Sequence, residues 1–183
     1  MKNNSVKTIV AIGIGAALFF VLGRFVAIPS PVPNTNISTQ YGLLAFMCAL
    51  FGPIAGALIG LIGHALIDFS YGWGIWWSWV VASAVFGILM GLVSRRLHLA
   101  DGEFGKKDIV TFNLFQLAAH AIAWGIVAPV LDIVMYAEPA NKVFLQGAVG
   151  GLANIVTTAV IGTLLCVAYA KARPKKGSLK EER

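Results

Sequence analysis

The sequence predicts an all-α membrane protein with six transmembrane helices and with both termini in the cytoplasm. Of its 183 residues, 58% are hydrophobic and 12% are charged, and the mean hydropathy is +0.80. One compact soluble core of this length cannot bury so much apolar surface. The apolar residues form runs long enough to cross a bilayer, and the basic residues lie in short segments between and after those runs. The whole chain, 1–183, is therefore expected to form a single transmembrane domain.

The first apolar run predicts a helix over 7–28, since about 20 residues at 1.5 Å each cross the hydrocarbon layer. No small-x-small cleavage site follows it, so we interpret it as a permanent span rather than a signal peptide. It carries two pairs of small residues at four-residue spacing, which lets another helix approach closely. These pairs are Ala11 with Gly15 and Gly13 with Ala17.

The apolar region 40–94 is too long for two ordinary spans. The segments "FGP" at 51–53 and "YGWG" at 71–74 contain helix breakers that divide it into three parts. The proline of the first segment can begin a new helix, and the glycines of the second can end one. We therefore expect spans over 40–51, 53–71 and 75–95, the first of them short.

The last two apolar runs predict spans over 109–135 and 144–172, followed by a basic tail over 173–183. Six spans place the N-terminus, the loop 94–108 and the tail on one side. That side then holds twelve of the fourteen basic residues, as the positive-inside rule expects of the cytoplasmic face. A single helix over 40–71 would move the basic loop to the other side, so five spans fit the charges less well.

Ionised side chains within the apolar segments mark the candidate functional site, because a charge near the bilayer centre costs about 2.5–3.5 kcal/mol or more. By the six-span count, Arg24, Asp68 and Asp132 all lie in the outer parts of their helices. Either they pair with one another, with Arg24 the cation expected to be nearest Asp68, or they line a pocket open to the outside. His64 lies one helical turn before Asp68 on the same face.

Aromatic and amide side chains lie at the same level as these charges. A tryptophan cluster begins the fourth span, where an interfacial aromatic belt is expected of any membrane protein. Its indoles point in different directions around the helix, so at least one should turn toward the bundle. Flat rings with nearby amides suit a planar polar ligand. The candidate binding residues are Arg24, Asn34, Asn36, Tyr41, His64, Asp68, Tyr71, Trp76, Trp77, Asp132 and Tyr136.

Enzyme motifs are not found in this sequence. It has no Walker A segment, no G-x-S-x-G, no H-E-x-x-H and no cysteine–histidine cluster, so we expect no catalytic residue, metal or cofactor. A metal site built from His64, Asp68 and His120 is geometrically possible, although a hydrogen bond between helices is the favoured role. Cys48 and Cys166 are expected to be buried small hydrophobes. The basic residues follow the topology, so a nucleic acid is not an expected partner.

Six short spans, a basic loop after the fourth and the small-residue spacing of the first resemble the substrate-binding S components of energy-coupling factor (ECF) vitamin transporters. The resemblance covers essentially the whole chain. The segments "IPSPVPNTNIS", "FGPIAGALIGLIGHALIDFSYG" and "WWSWVVASAVFGILMG" look like the cobalamin-specific members. The resemblance implies that a vitamin, cobalamin or cobinamide, binds at the outer face, with riboflavin or another vitamin as the alternative.

The same resemblance implies a transmembrane coupling subunit and two ATPase subunits as partners, which drive the loaded S component to topple in the membrane. In that family an A-x-x-x-A motif on the first helix contacts the coupling subunit. Ala11 and Gly15 match it best, and Gly13 and Ala17 match it in a shifted register. A stand-alone ion-coupled carrier, a membrane enzyme and a purely structural subunit are the alternatives.

Overall fold

The computed structural model describes residues 2–72 and 74–173, and their side chains from residue 6 onward. Apart from Arg173, the predicted tail 173–183 lies outside the described residues. The helices are α1 (Lys2–Phe25), α2 (Gln40–Tyr71), α3 (Trp77–Gly91), α4 (Lys106–Ile122), α5 (Ala128–Tyr136), α6 (Ala140–Thr157) and α7 (Thr163–Ala172). Two π-helical segments, Ala123–Val127 and Thr158–Gly162, join α4 to α5 and α6 to α7. Short 3₁₀ turns occupy Leu92–Arg95 and Leu99–Asp101, and β1 (Ile28–Pro29) pairs antiparallel with β2 (Asn36–Ile37).

The predicted all-helical membrane class is confirmed. Five helices among the described residues are long and apolar enough to cross a membrane. Large apolar side chains stand on their outer surfaces: Ile9, Val134 and Leu152 are 68%, 76% and 65% exposed. A bilayer would cover such a surface. The five helices are Val6–Phe25, Gln40–Tyr71, Trp77–Arg95, Lys106–Tyr136 and Ala140–Ala172.

The second of these, α2, reverses direction at Gly52. This glycine has a non-helical backbone (φ +80°, ψ −171°) in the left-handed region that favours glycine, and Pro53 follows it. A Cβ atom at Gly23 of α1 would lie 3.0 Å from Nε2 of Gln40 and would overlap Cδ1 of Ile67. A straight helix would hold these two side chains about 40 Å apart. The segment is therefore a hairpin of two antiparallel arms, 40–51 and 53–71, divided where the sequence predicts.

The hairpin gives the bundle two distinct ends. The pocket end collects the β1–β2 loop, the end of α2, the start of α3, the end of α5 and the start of α6. At the opposite end, called the basic end, the α2 turn packs against the end of α3, since a Cβ at Gly52 would lie 3.4 Å from Oγ of Ser94. Of the basic side chains that the structure describes, Arg24 and Lys142 lie at the pocket end. The basic end holds Arg95, Arg96, Lys106, Lys107, Lys171 and Arg173.

Helix α3 packs closely on the second arm of α2 because glycines meet at the crossing. A Cβ at Gly87 would overlap the backbone of Gly56, and one at Gly60 would lie 2.6 Å from the carbonyl oxygen of Ser83. This close approach brings Phe86 to Tyr41, with ring centroids 5.7 Å apart. Both rings are buried and form the floor beneath the pocket end.

The two pairs of small residues on α1 lie on different faces. Ala11 is 8% exposed, and a Cβ at Gly15 would lie 2.7 Å from Cδ1 of Ile59, so this pair packs within the bundle. Gly13 and Ala17 are exposed, and no atom lies within 4 Å of a Cβ at Gly13. The pair that matches the family motif best is thus used in internal packing, while the shifted pair faces outward.

Candidate binding site

A cavity of about 390 Å³ opens at the pocket end. Its volume lies in the range typical of small-molecule sites. Its walls come from Gly23 of α1, the segment between α1 and α2, both arms of α2, the start of α3, the first π-helical segment, α5 and α6. Eight of the predicted binding residues line it: Asn34, Asn36, Tyr41, His64, Asp68, Tyr71, Trp76 and Asp132.

The other three predicted residues do not line the cavity. The guanidinium carbon of Arg24 lies 4.3 Å from the centroid of the Tyr71 ring, in a cation–π contact. Within the described residues Arg24 forms no ion pair with a carboxylate, so the expected pairing with Asp68 is not formed. Trp77 is 44% exposed, and its backbone N–H donates to the Tyr136 hydroxyl at 3.0 Å. Tyr136 therefore supports the cavity wall from behind.

The carboxylate of Asp132 explains the crowding of indoles at the start of α3. Asp132 is 2% exposed and accepts hydrogen bonds from three side chains. The donors are Nε1 of Trp76, Oγ of Ser78 at 2.6 Å and Nε1 of Trp79 at 3.0 Å. Three neutral donors thus hold a buried carboxylate and tie α5 to α3.

Asp68 begins a polar chain that runs from the cavity into the core. Its Oδ2 accepts the backbone N–H of Trp76 at 2.9 Å, while its Oδ1 lies 3.6 Å from Nε2 of His64. The other ring nitrogen of His64 lies 2.6 Å from Oγ of Ser83, which lies 2.8 Å from the Tyr41 hydroxyl. Ser83 is fully buried on α3 and cannot reach a substrate. The chain of contacts from Asp68 through His64 to Ser83 therefore positions the cavity wall, and Ser83 does not act as a nucleophile.

The segment 26–39, called the lid, covers the cavity. Nε2 of Gln146 donates to the carbonyl oxygen of Pro33 at 2.9 Å, and Oγ1 of Thr157 donates to that of Ser38 at 2.7 Å. Together with the β1–β2 pair, these bonds fix the lid on α6, and the prolines at 29, 31 and 33 restrict its backbone.

Several wall residues were not among the sequence-based candidates. Trp124 lies in the first π-helical segment, is 4% exposed, and has its ring centroid 4.8 Å from that of Tyr41. Glycines on α6 make room for it, since a Cβ at Gly151 would lie 3.0 Å from the Cβ of Trp124. In the sequence, the glycines at 147, 150 and 151 were the one feature that could have indicated a bulky side chain packed against α6. The other polar, charged or aromatic lining residues outside the candidate list include Gln40, Trp79, Glu138, Lys142, Gln146 and Asn154.

The sequence over residues 3–171 matches the family described as "ECF-type riboflavin transporter, S component". The chain belongs to this family. A UPF0397 protein of Enterococcus faecalis (strain ATCC 700802 / V583) is 54% identical over 178 residues, 97% of each chain. UPF0397 proteins of Lactococcus lactis subsp. cremoris (strain NZ9000) and Staphylococcus aureus (strain Newman) are 54% and 52% identical, over 100% and 97% of both chains. No solved structure matches the chain significantly.

As an S component, the protein is a multi-pass protein of the cell membrane. It is a substrate-binding subunit of the vitamin-transporter type rather than an enzyme, and the family implies interaction with ECF transmembrane and ATPase subunits. The structure supplies the feature that such a subunit needs, a polar and aromatic cavity covered by a lid.

The S component does not assemble the metal site that was considered from its sequence. Nε2 of His120 lies 3.1 Å from Oγ1 of Thr158, a hydrogen bond between neighbouring helices. Among the residues that the structure describes, no three metal-binding side chains come together. His64 instead bonds to Ser83, as described above.

Proposed function

We propose that this S component captures a vitamin in the cavity at the outer face and delivers it inward with an ECF coupling subunit and two ATPases. The observation that carries the proposal is the cavity itself, which has indole walls at Trp76, Trp79 and Trp124 and a lid held by hydrogen bonds. Flat aromatic walls with polar groups between them suit a planar ring system.

The hairpin of α2 supports a membrane orientation with six crossings. If each arm of α2 crosses the membrane, the chain crosses an even number of times and both termini lie on one side. The basic end would then be cytoplasmic, by the positive-inside rule, and the pocket end would face outward. The cavity in that orientation opens toward the vitamin supply.

The size of the cavity supports a small planar vitamin as the proposed ligand. At about 390 Å³, it lies near the small end of the range for ligand sites. It fits one flat ring system of the riboflavin class better than a corrin with its side arms. Cobalamin or cobinamide, which the sequence resemblance favours, would need the lid to move outward. Such an opening would break the two side-chain hydrogen bonds that hold the lid on α6.

Binding is tested by titrating the purified S component with riboflavin, cobalamin and cobinamide and following tryptophan fluorescence. We expect saturable quenching by riboflavin, because Trp79 and Trp124 line the cavity. Gly150→Leu should abolish the quenching, because its side chain would enter the cavity near Thr35. Failure of all three vitamins to bind at micromolar protein would contradict the proposal. Binding of cobalamin or cobinamide alone would assign the corrin instead.

The outward pair on α1 is proposed as the contact with the coupling subunit. Gly13→Trp adds bulk where no atom lies within 4 Å, so it should spare vitamin binding but block uptake in cells that contain the ECF partners. Ala11→Trp is the matched control, because it enlarges a buried position and should lower the stability of the S component itself. Normal uptake by Gly13→Trp, or loss of its vitamin binding, would contradict this assignment.

A further inference from the structure

Two buried amide oxygens in the cavity wall have no hydrogen-bond partner among the residues that the structure describes. They are Oε1 of Gln40 and Oδ1 of Asn154, on residues that are 6% and 2% exposed. Both residues line the cavity. Because nearly all buried polar atoms in folded proteins have a partner, such atoms call for an explanation. A bound ligand with N–H or O–H groups would supply the missing donors.

A third acceptor faces the same space. Oδ1 of Asp68 has His64 Nε2 as its nearest ion-pair partner, at 3.6 Å, which is too long for a hydrogen bond. Oδ2 of the same carboxylate is already occupied by the backbone N–H of Trp76. The cavity therefore presents three acceptor atoms from three different positions, the first arm of α2, the second arm of α2 and α6.

The charged side chains around the cavity also favour a ligand without negative charge. Among the described residues that line it, Asp68, Asp132 and Glu138 carry carboxylates and Lys142 carries the one ammonium group, while the Arg24 guanidinium lies on the Tyr71 ring outside the lining. Lys142 is bonded to Glu138 at 2.6 Å, so it does not offset the two deeper carboxylates. The three donors that the structure describes on Asp132 are all neutral. A ligand that carries its own negative charge would meet uncompensated carboxylates in a partly desolvated space.

We infer that Gln40, Asn154 and Asp68 form a specificity-determining wall that recognises N–H or O–H donors on the ligand and excludes anionic ligands. The ligand class is a neutral or cationic ring compound whose edge carries amide, imide or amino groups. Its phosphorylated or carboxylated counterparts bind poorly. This selection rests on the proposed function, because it concerns the same cavity.

The charge preference is tested with matched ligand pairs on the wild-type S component. The pairs are riboflavin against riboflavin 5′-phosphate, and cobinamide against cobinamide phosphate. In each pair that binds, the phosphorylated member should bind at least about tenfold more weakly, because it brings negative charge toward Asp68 and Asp132. Asp68→Asn should reduce the difference in affinity between the two members of the pair, because it removes one of the two carboxylates. Equal affinity within the pair that binds would overturn the inference.

The role of the unpartnered amides is tested with Asn154→Leu and Gln40→Met, which keep the side-chain size. Each should weaken binding of the neutral vitamin about tenfold, because a ligand donor is left without an acceptor. Neither should lower the thermal stability of the ligand-free protein, since the lost oxygens have no protein partner. Asn113→Leu is the control. Its Nδ2 donates to Oγ1 of Thr163 at 3.0 Å, and neither residue lines the cavity. This variant should therefore lose thermal stability and keep its affinity for the vitamin.

The outcomes separate the two proposals. If none of the vitamins binds the wild-type protein, the proposed function fails. If a vitamin binds and the leucine and methionine variants bind it equally well, the proposed function stands and the specificity wall is wrong. Lower stability with unchanged affinity in Asn154→Leu would likewise assign that residue to packing alone.

Discussion

Replacing Asp132 removes the acceptor that holds the indole wall together. In Asp132→Ala, the indole N–H groups of Trp76 and Trp79 and the hydroxyl of Ser78 lose their partner at once. A buried donor left unpaired costs about 1–3 kcal/mol. Ser78 is fully buried, whereas Trp76 is 37% exposed and its indole N–H can turn to water, so we expect a total of about 2–4 kcal/mol. Asp132→Asn keeps one oxygen acceptor and should cost less than the alanine variant.

The assay is reversible unfolding of the purified protein in detergent, followed by tryptophan fluorescence, which reports on two of the affected side chains. Glu138→Ala is the control at the rim of the same cavity. It breaks a partly exposed pair with Lys142, four residues further along the chain, and should cost less than about 0.5 kcal/mol. An Asp132→Ala protein as stable as this control would refute the structural role assigned to the carboxylate.

Two further changes test the packing and the lid. Gly87→Ala places a Cβ against the backbone of Gly56, which cannot move aside, and should cost about 1–3 kcal/mol in the same unfolding assay. Gly125→Ala is its control, because no described atom lies within 4 Å of a Cβ at that position. Equal stability of the two variants would contradict the close helix crossing. Thr157→Val removes the hydrogen bond to the Ser38 carbonyl oxygen. In stopped-flow fluorescence, the vitamin should dissociate about two- to tenfold faster, with the association rate little changed. An unchanged dissociation rate would show that this bond does not hold the lid.

Much of the fold follows from local sequence signals. The Gly52–Pro53 pair breaks α2 where a non-helical backbone is needed, and the turn glycine Gly72 ends it with a left-handed backbone (φ +82°). Such breakers act through the covalent geometry of single residues, so they are readable without tertiary information. Helix length alone does not reveal the hairpin, because the contacts of Gln40 and Ile67 with α1 come from the tertiary fold.

The site was predictable where charge within an apolar run marks it, as at Asp68 and Asp132. Trp124, Gln40 and Asn154 carry no such mark, because an indole or amide in a helix serves packing as often as binding. The sequence leaves the partner of Arg24 open, because its position does not show that its guanidinium lies on the Tyr71 ring. Small residues occur on several faces of α1, so only the packing distinguishes the inward pair from the outward one.

Sided labelling of single cysteines tests the central claim, a ligand cavity at the outer face. Asn36→Cys places an exposed thiol on the lid at the cavity, and Glu103→Cys places one at the basic end, while the native Cys48 and Cys166 are fully buried. An impermeant maleimide added to intact cells should label the first variant and not the second, and saturating vitamin should slow the labelling of the first. Labelling of Glu103→Cys alone from outside, or a rate at Asn36→Cys that a bound vitamin leaves unchanged, would contradict the account.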